Sequence, residues 1–108
     1  MYAPMIINAV EAESFKLGQY EAHLLKDIQA QGHIRYLYVL QLSMDGKPCL
    51  YISSEENAMA AELGGGSHFL CAFEGDRHLN FGCSDQWADL ETFKAKAIEM
   101  AKERLSVS

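Results

Sequence analysis

The dipeptide Asp45-Gly46 constrains this chain more than any other feature, because it stands between two apolar runs, Ile34 to Ser43 and Cys49 to Ser53. Asp-Gly supplies the two positive φ angles of a type I′ turn, so the runs read as a tight β-hairpin. With Asp45 and Gly46 as the loop, Leu42 is expected to face Cys49, Leu40 to face Tyr51, and Tyr38 to face Ser53. One side then carries Ile34, Tyr36, Tyr38, Leu40, Leu42, Cys49 and Tyr51, and the other Leu37, Val39, Leu50 and Ile52. An antiparallel hairpin with one wet side alternates apolar and polar residues, whereas this one is apolar on both, so both sides need cover.

Further elements supply part of that cover. Ser53 and Glu56 have the spacing of a capping box, and Ala58 to Leu63 favours helix, with glycines 64 to 66 as its stop. A second hairpin is expected from His68 to Phe73 and His78 to Cys83 around Gly75-Asp76, which suits a type II′ turn. It pairs Phe73 with His78, Cys71 with Asn80, Leu70 with Phe81 and, as opposite charges, Glu74 with Arg77. From Ser84 to Leu105, Trp87, Leu90, Phe93, Ala97, Ile98 and Ala101 recur at helical spacing, with acidic residues early and Lys102 and Arg104 late. Residues 15 to 28 admit two readings: a helical stripe of Leu17, Tyr20, Leu24 and Ile28, which is preferred, or a strand with Gly18 as a bulge.

At 108 residues the chain has room for one core. The expected fold is therefore one α+β domain over residues 1–108: an antiparallel sheet of four to five strands from two hairpins, a short helix between them, and a long amphipathic C-terminal helix on one sheet face. Cover for the second face falls to the N-terminal segment or to a second copy of the chain, so a homodimer is expected. Nine basic against fifteen acidic residues give a formal charge of −6, which opposes binding to nucleic acid or anionic membrane surfaces. No apolar run approaches the ~20 residues of a membrane span, and the N-terminus lacks the basic region of a signal peptide. An odd cysteine count, Cys49, Cys71 and Cys83, without a C-x-x-C pair suits a reducing compartment, so a cytoplasmic location is expected.

Three groups of residues bear on chemistry. Cys71, His78 and Asn80 fall on one face of the second hairpin and are the types used in thiolate catalysis, where the imidazole takes the thiol proton and the amide orients the ring. Gly65, Gly66, Ser67 and His68 form a glycine-rich loop whose amides could cradle an anion, although no P-loop lysine follows. Tyr36, Tyr38 and Tyr51 line one hairpin face, as a ligand or protein interface would have them. His68, Cys71, His78 and Cys83 are zinc-type residues, but the register divides them between two faces, so no metal and no other cofactor is expected. Glu55 and Glu56 read as solvated surface. The balance favours a non-enzymatic binding or protein-interaction module, with a small thiol enzyme as the alternative.

Overall fold

A computed structural model describes residues 3–63 and 65–107. Among these residues six strands form one antiparallel sheet in sequence order: β1 (Ile6–Leu17), β2 (Tyr20–Ala30), β3 (Tyr36–Met44), β4 (Lys47–Glu56), β5 (His68–Glu74) and β6 (Arg77–Ser84). Three of the five connections are two-residue turns, and their dihedral angles follow the residue chemistry. Asp45 (φ 52°) and Gly46 (φ 77°) are both left-handed, as a type I′ turn requires, while Gly75 (φ 60°) takes the first loop position before Asp76.

The third tight turn corrects the preferred reading of residues 15 to 28. They are strand, not helix: Gly18 (φ 62°) opens a turn that sets Leu17 opposite Tyr20, and β2 then pairs with β1 on one side and β3 on the other. The sheet therefore has six strands instead of four to five. The helix expected between the hairpins is not formed as expected either. Ser53 to Glu56 are the last residues of β4, hydrogen-bonded along β5, and only a four-residue helical turn, Ala60–Leu63, follows. Gly64, expected to help stop that helix, lies outside the described residues.

The C-terminal helix, Leu90–Arg104, covers one sheet face. Phe93, Ala97, Met100 and Ala101 pack on Leu24 of β2, Leu40 and Leu42 of β3, Leu50 and Ile52 of β4, and Leu70 and Ala72 of β5. Its start is later than the apolar stripe implied. Asp85–Ala88 form a separate 3₁₀ turn capped by Ser84, and Asp89 (φ −98°, ψ 123°) begins the helix anew. Asp89 accepts hydrogen bonds from Thr92 Oγ1 (2.7 Å) and Thr92 N (2.9 Å), closing the first turn.

Those two bonds, the hydroxyl's first and the amide's second, hold the Asp89 carboxyl below the usual carboxylate range. A carboxyl whose folded pKa is depressed stabilises the fold above its unfolded pKa, and that stability is lost as pH falls through the folded value. Asp89→Ala is therefore expected to lower the urea midpoint at neutral pH. The gap from wild type should close once pH is below the folded pKa; denaturation curves across the acid range check it.

The face opposite the helix depends on two register shifts in the β3–β4 pair, one between Tyr36 and Tyr38 and one between Leu42 and Ser43. Leu42 pairs with Leu50, Leu40 with Ile52 and Tyr38 with Ser54, each displaced by one from the expected partner, because Cys49 is an extra residue in β4. A one-residue slip moves side chains to the other face. Tyr38 keeps the alternation of Leu40 and Leu42 and lies under the helix, its ring 5.7 Å from that of Phe93, while the shifts turn Tyr36 and Tyr51 to the far side around Phe73. The three tyrosines do not share a face. Similarly, a shift between Phe69 and Cys71 in β5–β6 removes the expected Leu70–Phe81 pairing; Glu74 does stand opposite Arg77, and it also pairs with Arg104 of the helix.

Candidate functional site

The helix-free face gathers its polar groups around Cys71. On β4, Ser53 is the direct cross-strand neighbour of Cys71 and Glu55 is diagonal to it. On β6, Asn80 is the direct neighbour and His78 the diagonal one. Diagonal side chains are within mutual reach when long, and here Glu55 and His78 converge over the cysteine. His78 Nε2 lies 2.9 Å from Glu55 Oε2, and Ser53 Oγ donates to the same oxygen at 2.7 Å. The ligating atoms of Glu55, Cys71 and His78 all lie within 4.8 Å of one another, the one such group of three among the described residues.

Burial sharpens the electrostatics of this group. Glu55 is 5 % exposed and Cys71 1 %, whereas the His78 side chain keeps 24 % of its surface in solvent. Burial of the carboxyl is offset by three polar neighbours, since hydroxyl, imidazole and thiol all bond to Glu55. The Cys71 thiol is pushed well above the ordinary thiol range, first by its own burial, then by the negative charge of Glu55 and the hydrogen bond it donates to that carboxylate. A thiol held protonated in this way is a poor nucleophile, since attack needs the thiolate.

Aromatic rings wall the group. The imidazole of His78 stacks on Phe73 with centroids 4.2 Å apart and planes 9° from parallel, and Tyr51 meets the Phe73 ring edge-on at 6.5 Å. Tyr36 lies 6.2 Å from Phe73 on another side. Beyond Tyr36 the face opens into a cleft of about 420 Å³ lined by Ala3, Pro4, Met5, Gln31, Ile34, Tyr36 and Phe73. A neighbouring cleft shares Ile34 and Tyr36 and adds Arg35 and Ile28.

Of the thiol trio inferred from sequence, Cys71 and His78 do meet, but Asn80 takes no part. Its side chain is exposed and accepts the Gly82 N–H at 2.8 Å, and the group that contacts the imidazole is Glu55. Reading Ser53 to Glu56 as a helix cap placed Glu55 in solvent. The alternation Tyr51, Ser53, Glu55 was the signal that could have found it, because as a strand it aims all three at one face.

In the glycine-rich loop two of the amides already have acceptors within the protein. The Gly66 N–H donates to Cys83 Sγ (3.3 Å) and the Ser67 N–H to the Asp85 carboxylate (2.8 Å), so these amides are already engaged, one of them by an acid that would repel an anion. His68 is turned to Ser67, its Nδ1 2.8 Å from the hydroxyl, and Gly65 (φ 87°) sits against the Cys83 sulfur. Neither His68 nor Cys83 belongs to the ligating group around Cys71. Compared with known proteins, the chain matches no family model, no curated protein and no solved structure.

Proposed function

We propose that this chain is a non-enzymatic binding module whose ligand is a small amphiphile with an apolar body and an anionic head. The observation that carries the reading is the cleft at the end of the helix-free face. Its volume of about 420 Å³ is of small-molecule size, and its walls, Pro4, Met5, Ile34, Tyr36 and Phe73, are mainly apolar, with Gln31 as a hydrogen-bonding group. Arg35 lines the adjoining space and offers a guanidinium to a carboxylate, sulfonate or phosphate. Among the described residues no helix is long and apolar enough to cross a membrane.

Fluorescence titration with anilinonaphthalene sulfonate, set against its uncharged naphthylamine analogue, tests this directly. The anionic dye is expected to bind the native protein at one site. Tyr36→Ala, which removes a half-buried ring from the wall, should weaken both dyes by about tenfold, in line with ~1.5 kcal/mol of lost apolar contact. Arg35→Gln should weaken only the charged one. Absence of dye binding to the folded protein, or indifference to both substitutions, would remove the proposal.

Self-association through β1 is the second reading. This strand lies at the sheet edge and exposes Ile7 and Val10, with Met5 exposed just before it. Against it stand three register shifts and the charges of Glu11, Glu13 and Lys16, features that blunt an edge strand. Light scattering that finds a monomer at high protein concentration would eliminate the dimer.

A further inference from the structure

The cluster of Glu55, Cys71 and His78 brings a carboxylate, a thiol and an imidazole to one point on a rigid sheet, and we propose that it binds a divalent transition metal, with zinc as the physiological class of ion. This goes beyond the amphiphile reading, since none of the three residues lines that cleft and either proposal can fail without the other.

The donor set suits zinc or cobalt: sulfur, nitrogen and oxygen from three side chains, with a fourth position left for water or an exogenous ligand. Three protein ligands plus an open position is the arrangement of reactive zinc sites, whereas purely structural sites are closed by four. The geometry is near what an ion requires. Ligand atoms around a tetrahedral zinc sit roughly 3.3–3.6 Å apart, given metal–ligand distances of about 2.0–2.3 Å. Here the His78–Glu55 pair is at 2.9 Å and no pair in the group is more than 4.8 Å apart, so small side-chain adjustments bring the three onto one ion.

The supports are also those of a metal site. The three ligands come from three adjacent hydrogen-bonded strands, so the backbone holds their spacing. Ser53 Oγ already bonds the Glu55 carboxylate and would keep it oriented, and the parallel stack on Phe73 fixes the imidazole plane. His78 is the most exposed of the three and marks the side from which an ion enters. On binding, the Cys71 S–H bond breaks, its proton passes to solvent, and the sulfur electron pair forms the bond to the metal. His78 binds as neutral imidazole through Nε2, its proton carried on Nδ1.

The test is titration of the chelator-treated, reduced protein with Co²⁺, whose spectrum reports both thiolate ligation and coordination number. The expected result is one equivalent of Co²⁺ giving a thiolate-to-metal charge-transfer band and the intense visible bands of four-coordination, both abolished by Zn²⁺. A Cys49→Ser/Cys83→Ser protein, in which Cys71 is the sole thiol, should keep the spectrum. Cys71→Ser should lose the charge-transfer band, and His78→Ala and Glu55→Gln should each weaken Co²⁺ by tenfold or more, with circular dichroism confirming that each variant is folded. Absence of the band in the sole-thiol protein, or its survival in Cys71→Ser, would overturn the proposal even if another variant failed to fold.

Discussion

Phe93→Ala is expected to lower the unfolding free energy by about 3–5 kcal/mol, the range for truncating a fully buried phenylalanine. Phe93 has no exposed surface, and it belongs to the one core that joins the C-terminal helix to the sheet, with its ring against Tyr38 of β3. Removing the ring leaves a cavity bounded by strands whose hydrogen bonds hold them in place, so the site collapses little and the cost falls toward the upper end. Since domains of this size are stable by only ~5–15 kcal/mol, the change should be obvious in a urea or guanidinium midpoint. Glu99→Ala, on the exposed side of the same helix, serves as the control and should move stability by about 0.5 kcal/mol or less. A Phe93→Ala protein within 1 kcal/mol of wild type would mean that the helix does not lie on the sheet as described.

Gly66→Ala should cost about 3 kcal/mol, the upper part of the range for overpacking, and the reason is contact with backbone. A methyl group at residue 66 would stand 2.1 Å from both Cα and N of Ser84 and 2.5 Å from its carbonyl carbon. None of these atoms can rotate away, so the connector and the end of β6 must part. The Asn57 Nδ2 bond to the Gly66 carbonyl (3.0 Å), the Gly66 N–H bond to Cys83 and the Ser67 N–H bond to Asp85 would be strained together. Gly75→Ala is the informative comparison. Gly75 has a positive φ of 60°, but a Cβ added there would meet nothing within 4 Å, so its substitution should cost only backbone strain, ~1–2 kcal/mol. Denaturation of the two variants side by side, with hydrogen exchange at the Ser67 amide, checks the difference. Equal losses would show that the close approach at Ser84 is not there.

Gly66 also shows how one sequence feature can have two structural causes. A glycine-rich stretch near Ser67 and His68 is compatible with an anion cradle or with two backbones passing at close range, and composition alone does not separate them. The close approach to Ser84 accounts for a glycine at 66, and the Asp85 carboxylate holds the Ser67 amide. The Cys71–His78 pairing was legible for a firmer reason: the tight Gly75 turn fixes the register near it, and the pairs Phe73–His78 and Cys71–Asn80 follow by counting. Glu55 was missed because Ser53 to Glu56 satisfies the local pattern of a helix cap while long-range pairing with β5 makes it strand.

Local chemistry alone determined the turns at Asp45-Gly46 and Gly75-Asp76, the antiparallel sheet and the apolar stripe of the C-terminal helix, because each rests on dihedral preference or on periodicity within a few residues. Tertiary structure decided the rest. Residues 15 to 28 carry both helical and alternating periodicity, and only an open edge on β3 with β1 beyond selects the strand. The side to which Tyr36, Tyr51 and Glu55 point was likewise decided by the extra residue at Cys49 and the shift near Tyr36, since a bulge inverts every face after it and leaves no mark in composition. The meeting of Glu55, Cys71 and His78 follows from that inversion, through contacts between strands that no local preference specifies.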